Sequence, residues 1–366
     1  MSLPFRRIQG LLICFLILFP THSLAQGIEP LPYMEFPLIG SRNAVWIAAE
    51  LHLMFAAFVL AIPLFAVVIE FVGYFKKEER WDRLAKDFAK LLPVSYAATA
   101  LFGGLLTFLL YTLYPKFMAY LSDIFAPTMW LYALLFFAES ATLYIYWYSW
   151  DRLKGRYKWV HLLLAILLNI FGTAVMFIGN AWATFMMSPS GIDETGRLVS
   201  LWGAISNLTW WPLNIHRLIA NLTFGGFVAS AYAAYRFLAE EDPNRRAHYD
   251  WMGYVGNFVG VMTMIFLPFA GYWFGIEIYR FNAQMGITLM GGALSFLWVV
   301  QAILIAAVFI GSAYYIWIGM GRIPGAERYQ RWLPAFSWVL VLSFAFVAEE
   351  PGLTVPGPRK LQGVHT

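Results

Sequence analysis

The sequence predicts an all-α fold, a polytopic bundle of transmembrane helices. It is 60% hydrophobic and only 13% charged, and its mean hydropathy is +0.63. Apolar runs recur from end to end at about 20 residues or more, the length a helix needs to cross the hydrocarbon core. The 366 residues would by length suggest two soluble domains, but these runs fit one membrane bundle instead. The formal charge of +4 calls for no nucleic-acid partner, because basic residues gather in the loops as membrane topology demands.

Residues 1–25 have the pattern of a secretory signal peptide: Arg6 and Arg7, an apolar stretch from Leu11 to Phe19, Pro20, then Ser23-Leu24-Ala25 as a small-x-small cleavage site. The alternative is an uncleaved first transmembrane helix. Cleavage removes the only cysteine, Cys14, and lowers the charge from +4 to +2, since Arg6 and Arg7 are the only charged residues lost. A mature chain without cysteine has no disulfide, no Cys-ligated iron–sulfur cluster and no C-x-x-C-H attachment of haem, so a metal cofactor must use His, Met or carboxylate.

Residues 26–350 hold eight further spans, near 44–75, 88–114, 127–150, 158–184, 209–238, 250–276, 285–318 and 331–350. The tail at 351–366 contains three prolines and reads as irregular. Charge alternates by loop. Lys76, Lys77, Arg80, Arg83 and Lys86 follow the first span, and Arg152, Lys154, Arg156 and Lys158 the third; Arg245 and Arg246 follow the fifth, and Arg322 and Arg328 the seventh. The intervening loops are basic-poor, so the positive-inside rule puts the mature N-terminus outside, in agreement with an exported signal. The longest connection, 185–208, with Pro189, Gly191 and Gly196, suits a lid or a docking surface.

Ionisable groups inside lipid are costly and mark functional sites that face the bundle interior. His52 lies about two turns into the first span, His216 a similar distance into the fifth, and Glu349, with Glu350 beside it, ends the eighth. All three fall on the outer side, where a neutral imidazole can ligate haem iron and a methionine can complete a low-spin site. Met285 opens the seventh span at the level of His216, and Met290 competes with it. Glu139, mid-span in Phe136-Phe137-Ala138-Glu139-Ser140, can carry protons by alternating between two states. His161 and His248 read as interfacial or loop residues, and Glu70, six residues before Lys76, as a side chain reaching the inner interface.

In order along the chain, these residues resemble subunit I of the cytochrome bd quinol oxidases. The resemblance runs from His52 and Glu70 through Lys86-Asp87-Phe88-Ala89-Lys90-Leu91-Leu92, Asp123-Ile124-Phe125, Phe136 to Ser140, Trp150-Asp151-Arg152-Leu153 and Asn180-Ala181-Trp182. It continues through His216, Tyr279 to Met285, and Phe346-Val347-Ala348-Glu349. It implies that His52 serves the high-spin haem region, that His216 and Met285 are axial ligands of a low-spin haem b, and that Glu349 is the carboxylate on the high-spin haem. It further implies that Trp182 belongs to the cofactor-binding set and that Glu139 belongs to an acidic proton path. A haem d in place of one haem b cannot be read from protein residues.

Departures from the family pattern are substantial. Pro351-Gly352-Leu353-Thr354 stands where an arginine-containing segment is expected, Ala283 replaces an arginine, Leu131 replaces a second acid, and the long quinol-binding loop is reduced to about Phe274 to Asn282. The expected function is a membrane-embedded cytochrome with two or more haems b, an oxidoreductase subunit. It would pass electrons between quinol or a periplasmic cytochrome and a terminal acceptor, oxygen in an oxidase version. A second membrane subunit is the implied partner, and the bacterial inner membrane the implied location. The alternative from another class is a proton or ion transporter using the same His and Glu residues; the sequence shows no inverted repeat and no paired broken helices to favour it.

Overall fold

The computed structural model describes residues 33–290 without a break, and beyond them 292, 295–322, 325–332, 334–335, 338–339 and 341–342. The expected signal peptide, most of the eighth span, Glu349 and Glu350, and the tail from 351 lie outside the described residues. Helices account for the regular elements: α1 Ser41–Lys76, α2 Glu79–Ala89, α3 Leu92–Leu113, α4 Pro115–Ser149, α5 Lys158–Met187, α6 Leu201–Ile205, α7 Trp210–Ala239, α8 Pro243–Met264, α9 Leu267–Phe281, α10 Ala283–Met290, α11 Ser295–Arg322 and α12 Glu327–Gln330. Among the described residues seven stretches are long and apolar enough to cross a membrane: Ser41–Lys76, Glu79–Leu113, Pro115–Ser149, Gly155–Met187, Trp210–Ala239, Pro243–Phe281 and Ser295–Arg322. Helices suit such sequences because lipid offers backbone N–H and C=O groups no partner, and a helix satisfies them internally.

The ends of these helices follow from local chemistry. Asp242 caps α8 by accepting a hydrogen bond from Asn244 N–H at 3.0 Å, with Pro243 at the first helical position, where a missing N–H costs nothing. Pro115 opens α4 in the same way. Helix α2, with Arg80, Arg83, Lys86, Glu79 and Asp82 on one side and buried Leu84, Ala85, Phe88 and Ala89 on the other, is amphipathic and sits at the basic end of the bundle.

Helix α1 is the axis of the fold. It packs against α2, α3, α5 and α7, and 56% of its most apolar window is buried, against 6% for α11. The main core gathers Phe58, Ile62, Phe65 and Ala66 of α1, Phe88 of α2, Leu143 and Tyr146 of α4, Leu168 of α5 and Met252 of α8. Membrane helices gain little from hiding apolar surface against one another, so close approach through small residues matters more. Helices α7 and α8 make the most extensive pairing of this kind. A Cβ on Gly226 would lie 2.7 Å from both the Gly256 carbonyl oxygen and the Gly260 nitrogen. Neither atom can rotate away, so Gly226→Ala is expected to part the helices and destabilise by about 1–3 kcal/mol. A lowered thermal midpoint in detergent would record it; an unchanged midpoint would show that the crossing tolerates spreading.

Two stretches differ from the sequence expectation. Residues 274–281, read as a shortened loop, continue helix α9 to Phe281, and Glu277 and Arg280 are ion-paired at 2.7 Å across one turn. The seventh span begins at Ser295 rather than Met285, because α10 is a separate short helix. The outer connection after α5 is a folded loop, with a bridge between Ile192 and Leu198 and a short helix α6. Gly191, at φ +71°, is required there, since a Cβ would lie 2.4 Å from the Ser200 carbonyl oxygen.

Candidate functional site

His52 stands on the face of α1 that meets α3. Its Nδ1 is 3.0 Å from the carbonyl oxygen of Thr99. A carbonyl only accepts, so Nδ1 carries the hydrogen and Nε2 keeps its lone pair. This is the arrangement by which a second partner fixes the tautomer and orientation of a metal-ligating imidazole. Gly103 makes room for the ring: a Cβ there would sit 2.9 Å from both Cε1 and Nδ1 of His52.

His216 stands on α7 facing α9, where its ring lies over Phe274 with centroids 6.2 Å apart and an interplanar angle of 25°. Gly271, one turn earlier on α9, leaves its Nε2 edge open, with an added Cβ only in ordinary contact at 3.8 Å. No hydrogen bond within the described residues occupies either ring nitrogen, and neither nitrogen is sealed by protein. Both histidines therefore offer an imidazole nitrogen to a ligand, and both lie within electrostatic reach of one cation, Arg217.

Arg217 donates from Nη1 to Asn180 Oδ1 at 2.5 Å; Asn180 Nδ2 donates to Asn214 Oδ1 at 2.8 Å, and Asn214 Nδ2 to the Trp210 carbonyl at 2.9 Å. Each amide in this relay uses its oxygen toward one side and its nitrogen toward the other, so the direction of the chain is fixed. Asn180 and Asn214 are almost wholly buried. The reading of the sequence passed over Arg217, although the cost of a charge in lipid that singled out His216 applies equally to its neighbour.

Glu139 is 4% exposed. Gly172 of α5 lies against it, where a Cβ would come 2.8 Å from Oε1. The carboxyl makes no hydrogen bond among the described residues, and Tyr96 and Tyr132 lie within its electrostatic reach. Tyr132 also lies within electrostatic reach of Arg217. Trp182 packs on Tyr132 at 4.9 Å and spends its indole N–H on Thr128 Oγ1 at 3.0 Å, so it offers a ring face rather than a donor.

Met285 is partly buried in α10 and donates its backbone N–H to Asn282 Oδ1 at 3.0 Å. Helix α10 packs on α9, the helix that also faces His216, and on α11. Glu349 lies outside the described residues, as does the side chain of Met290. Among the described residues no three His, Cys, Asp or Glu side chains cluster as a multidentate metal site, so metal held here would take separate axial ligands.

At the basic end of the bundle three side chains are more enclosed than expected. His161 is fully buried rather than interfacial, Glu70 is fully buried rather than reaching the interface, and His248 lies on α8 with Nε2 2.7 Å from Asp87 Oδ2 of α2. Glu70 receives Lys158 Nζ at 3.3 Å, Tyr146 OH at 3.3 Å and His161 Nδ1 at 3.0 Å. Lys158 also pairs with Asp82, which accepts the Trp150 indole N–H at 3.2 Å. Buried Leu143, Ala66, Ala165 and Leu168 belong to the core between this cluster and Glu139.

Fold and site together define a polytopic membrane protein whose interior holds two open imidazoles, a cation and an acid. Residues 41–284 match the model of the cytochrome bd terminal oxidase subunit I family, and the chain belongs to that family. The match contains His52, Glu139, Trp182 and His216 and ends one residue before Met285. A putative cytochrome bd menaquinol oxidase subunit I from Bacillus subtilis (strain 168) is 24% identical over 213 residues, 57% of this chain and 47% of the relative. A cytochrome bd ubiquinol oxidase subunit 1 from the same organism is 26% identical over 196 residues, 52% of this chain and 41% of the relative. The chain thus spans about half the length of these curated relatives. The solved bd oxidase from Geobacillus thermodenitrificans aligns with TM-score 0.63 at 18% identity, covering 84% of this chain and 82% of that one, a likeness of fold.

Proposed function

We propose that this chain is a membrane-embedded cytochrome of bd-oxidase type in a bacterial inner membrane, holding two or more haems b and passing electrons from quinol or a periplasmic cytochrome toward a terminal acceptor. The observation that carries the proposal is the pair of inward imidazoles, His52 and His216. Each has a ring nitrogen free for a metal, and the rings share the field of one arginine. The residues fit haem because separate His donors, each with a ring nitrogen free, in an apolar surround are what ligation of a haem iron needs. Bound haem supplies a reversible one-electron couple, whose potential axial ligation and low dielectric set.

In this reading His216, with Met285 or Met290, would hold the low-spin haem, and His52 and Glu349 would serve the haem at which oxygen reacts. Trp182 lends a packing face. Glu139, buried beside Tyr96 and Tyr132, binds and releases protons for the reduction, and a second membrane subunit completes the assembly. The purified full chain, made with ample haem supply, is expected to show b-type bands by visible spectroscopy and the pyridine haemochrome assay. Protein without haem would overturn the proposal and favour proton or ion transport through the same groups. Carbon monoxide binding and oxygen uptake by the reduced protein separate an oxidase from a carrier, since a wholly low-spin, unreactive spectrum removes oxygen as the acceptor.

A further inference from the structure

Arg217 carries a charge inside a membrane-spanning helix, with a neutral amide, Asn180, as its hydrogen-bond partner. Among the described residues no carboxylate pairs with it. A guanidinium does not shed its proton in proteins, so its charge must be matched by an anion or by water. Its remaining N–H groups are not sealed by protein. They are therefore open to a further partner, one residue along α7 from the His216 imidazole. The relay through Asn180 and Asn214 to the Trp210 carbonyl runs in one direction, each amide accepting on its oxygen and donating from its nitrogen. That relay holds the guanidinium fork in place without neutralising it.

We propose that Arg217 is a cofactor-binding residue that takes a carboxylate of the haem itself, a propionate of the haem held by His216. This rests on the haem reading above. Haem b carries two carboxylates on one edge of its ring, and the planar fork of arginine matches a carboxylate through two parallel hydrogen bonds. Placing the cation one residue after the iron ligand ties the ring's acidic edge and its metal to the same turn of α7. The protein's own nearby acid, Glu139, makes no hydrogen bond or ion pair with the guanidinium, whose hydrogen-bond partner is Asn180.

The test uses the haem-loaded full chain in detergent, with excess apomyoglobin as haem acceptor and a redox titration of the low-spin band. Arg217→Gln is expected to release haem roughly tenfold faster or more, the scale of one lost charge-assisted hydrogen bond. It is also expected to lower the midpoint potential, because a nearby cation favours the less positive, reduced iron. Arg217→Lys should restore most of both. Should Arg217→Gln fail to fold, Asn180→Asp gives the guanidinium a carboxylate of the protein's own and should loosen haem with Arg217 still present. Release rate and potential unchanged in Arg217→Gln, a lysine variant no better than glutamine, or undiminished haem retention in Asn180→Asp would overturn the assignment while leaving the haem reading intact. A wild type that carries no haem would overturn the haem reading first, and this assignment with it.

Discussion

In the proposed cytochrome, His216→Ala is expected to abolish the low-spin haem signal while leaving the fold in place. The imidazole makes no hydrogen bond among the described residues, so its removal orphans no buried donor or acceptor, the usual source of large losses. The ring is only partly buried, between Phe274 and the open edge at Gly271, and the cavity left should cost about 1–3 kcal/mol. Loss of an axial ligand, by contrast, is all or none for the coordination it supports. The visible spectrum should therefore lose the low-spin bands while the far-ultraviolet circular dichroism keeps its helical amplitude. Bands that survive in His216→Ala would remove this residue from the iron. Met285→Leu then tests the opposite side: a weakened or converted spectrum supports Met285, and an untouched one transfers the assignment to Met290.

The spans were legible because lipid imposes a single length and composition on a crossing helix. His52, His216 and Glu139 were legible because polar groups in such runs are few and costly. What escaped were relationships across the chain. His161 follows a lysine at a span edge and reads as interfacial until Glu70, 91 positions earlier, is found against its ring. The family resemblance suggested a shortened loop at Phe274 to Asn282, whereas Glu277 and Arg280 lie three residues apart on one helical face and pair with each other. Arg217 was hidden for a different reason. Adjacent to a more recognisable ligand, it reads as part of the same motif, and only its missing counter-charge in three dimensions sets it apart.

Glu70→Ala carries the largest expected loss of stability. Three donors converge on this carboxylate, from Lys158, Tyr146 and His161. The Nε2 of His161 meets the Tyr146 carbonyl oxygen at 3.0 Å, so both ring nitrogens face oxygens. With both nitrogens donating, two cations, Lys158 and His161, would stand against two carboxylates, Glu70 and Asp82, and the variants test that balance. Removing one carboxylate leaves a buried positive excess, and breaking such a pair costs about 3–5 kcal/mol. Glu70→Gln keeps an acceptor without the charge and should lose less. The sharper expectation concerns balance: Glu70→Leu combined with His161→Leu removes one charge of each sign, leaves Lys158 paired with Asp82, and should be more stable than Glu70→Ala alone. Thermal midpoints in one detergent, at low and high salt, rank the three, with little salt dependence because the pair is buried. A double variant no more stable than Glu70→Ala would mean that shape, rather than charge balance, holds the inner ends of α1, α4 and α5 together.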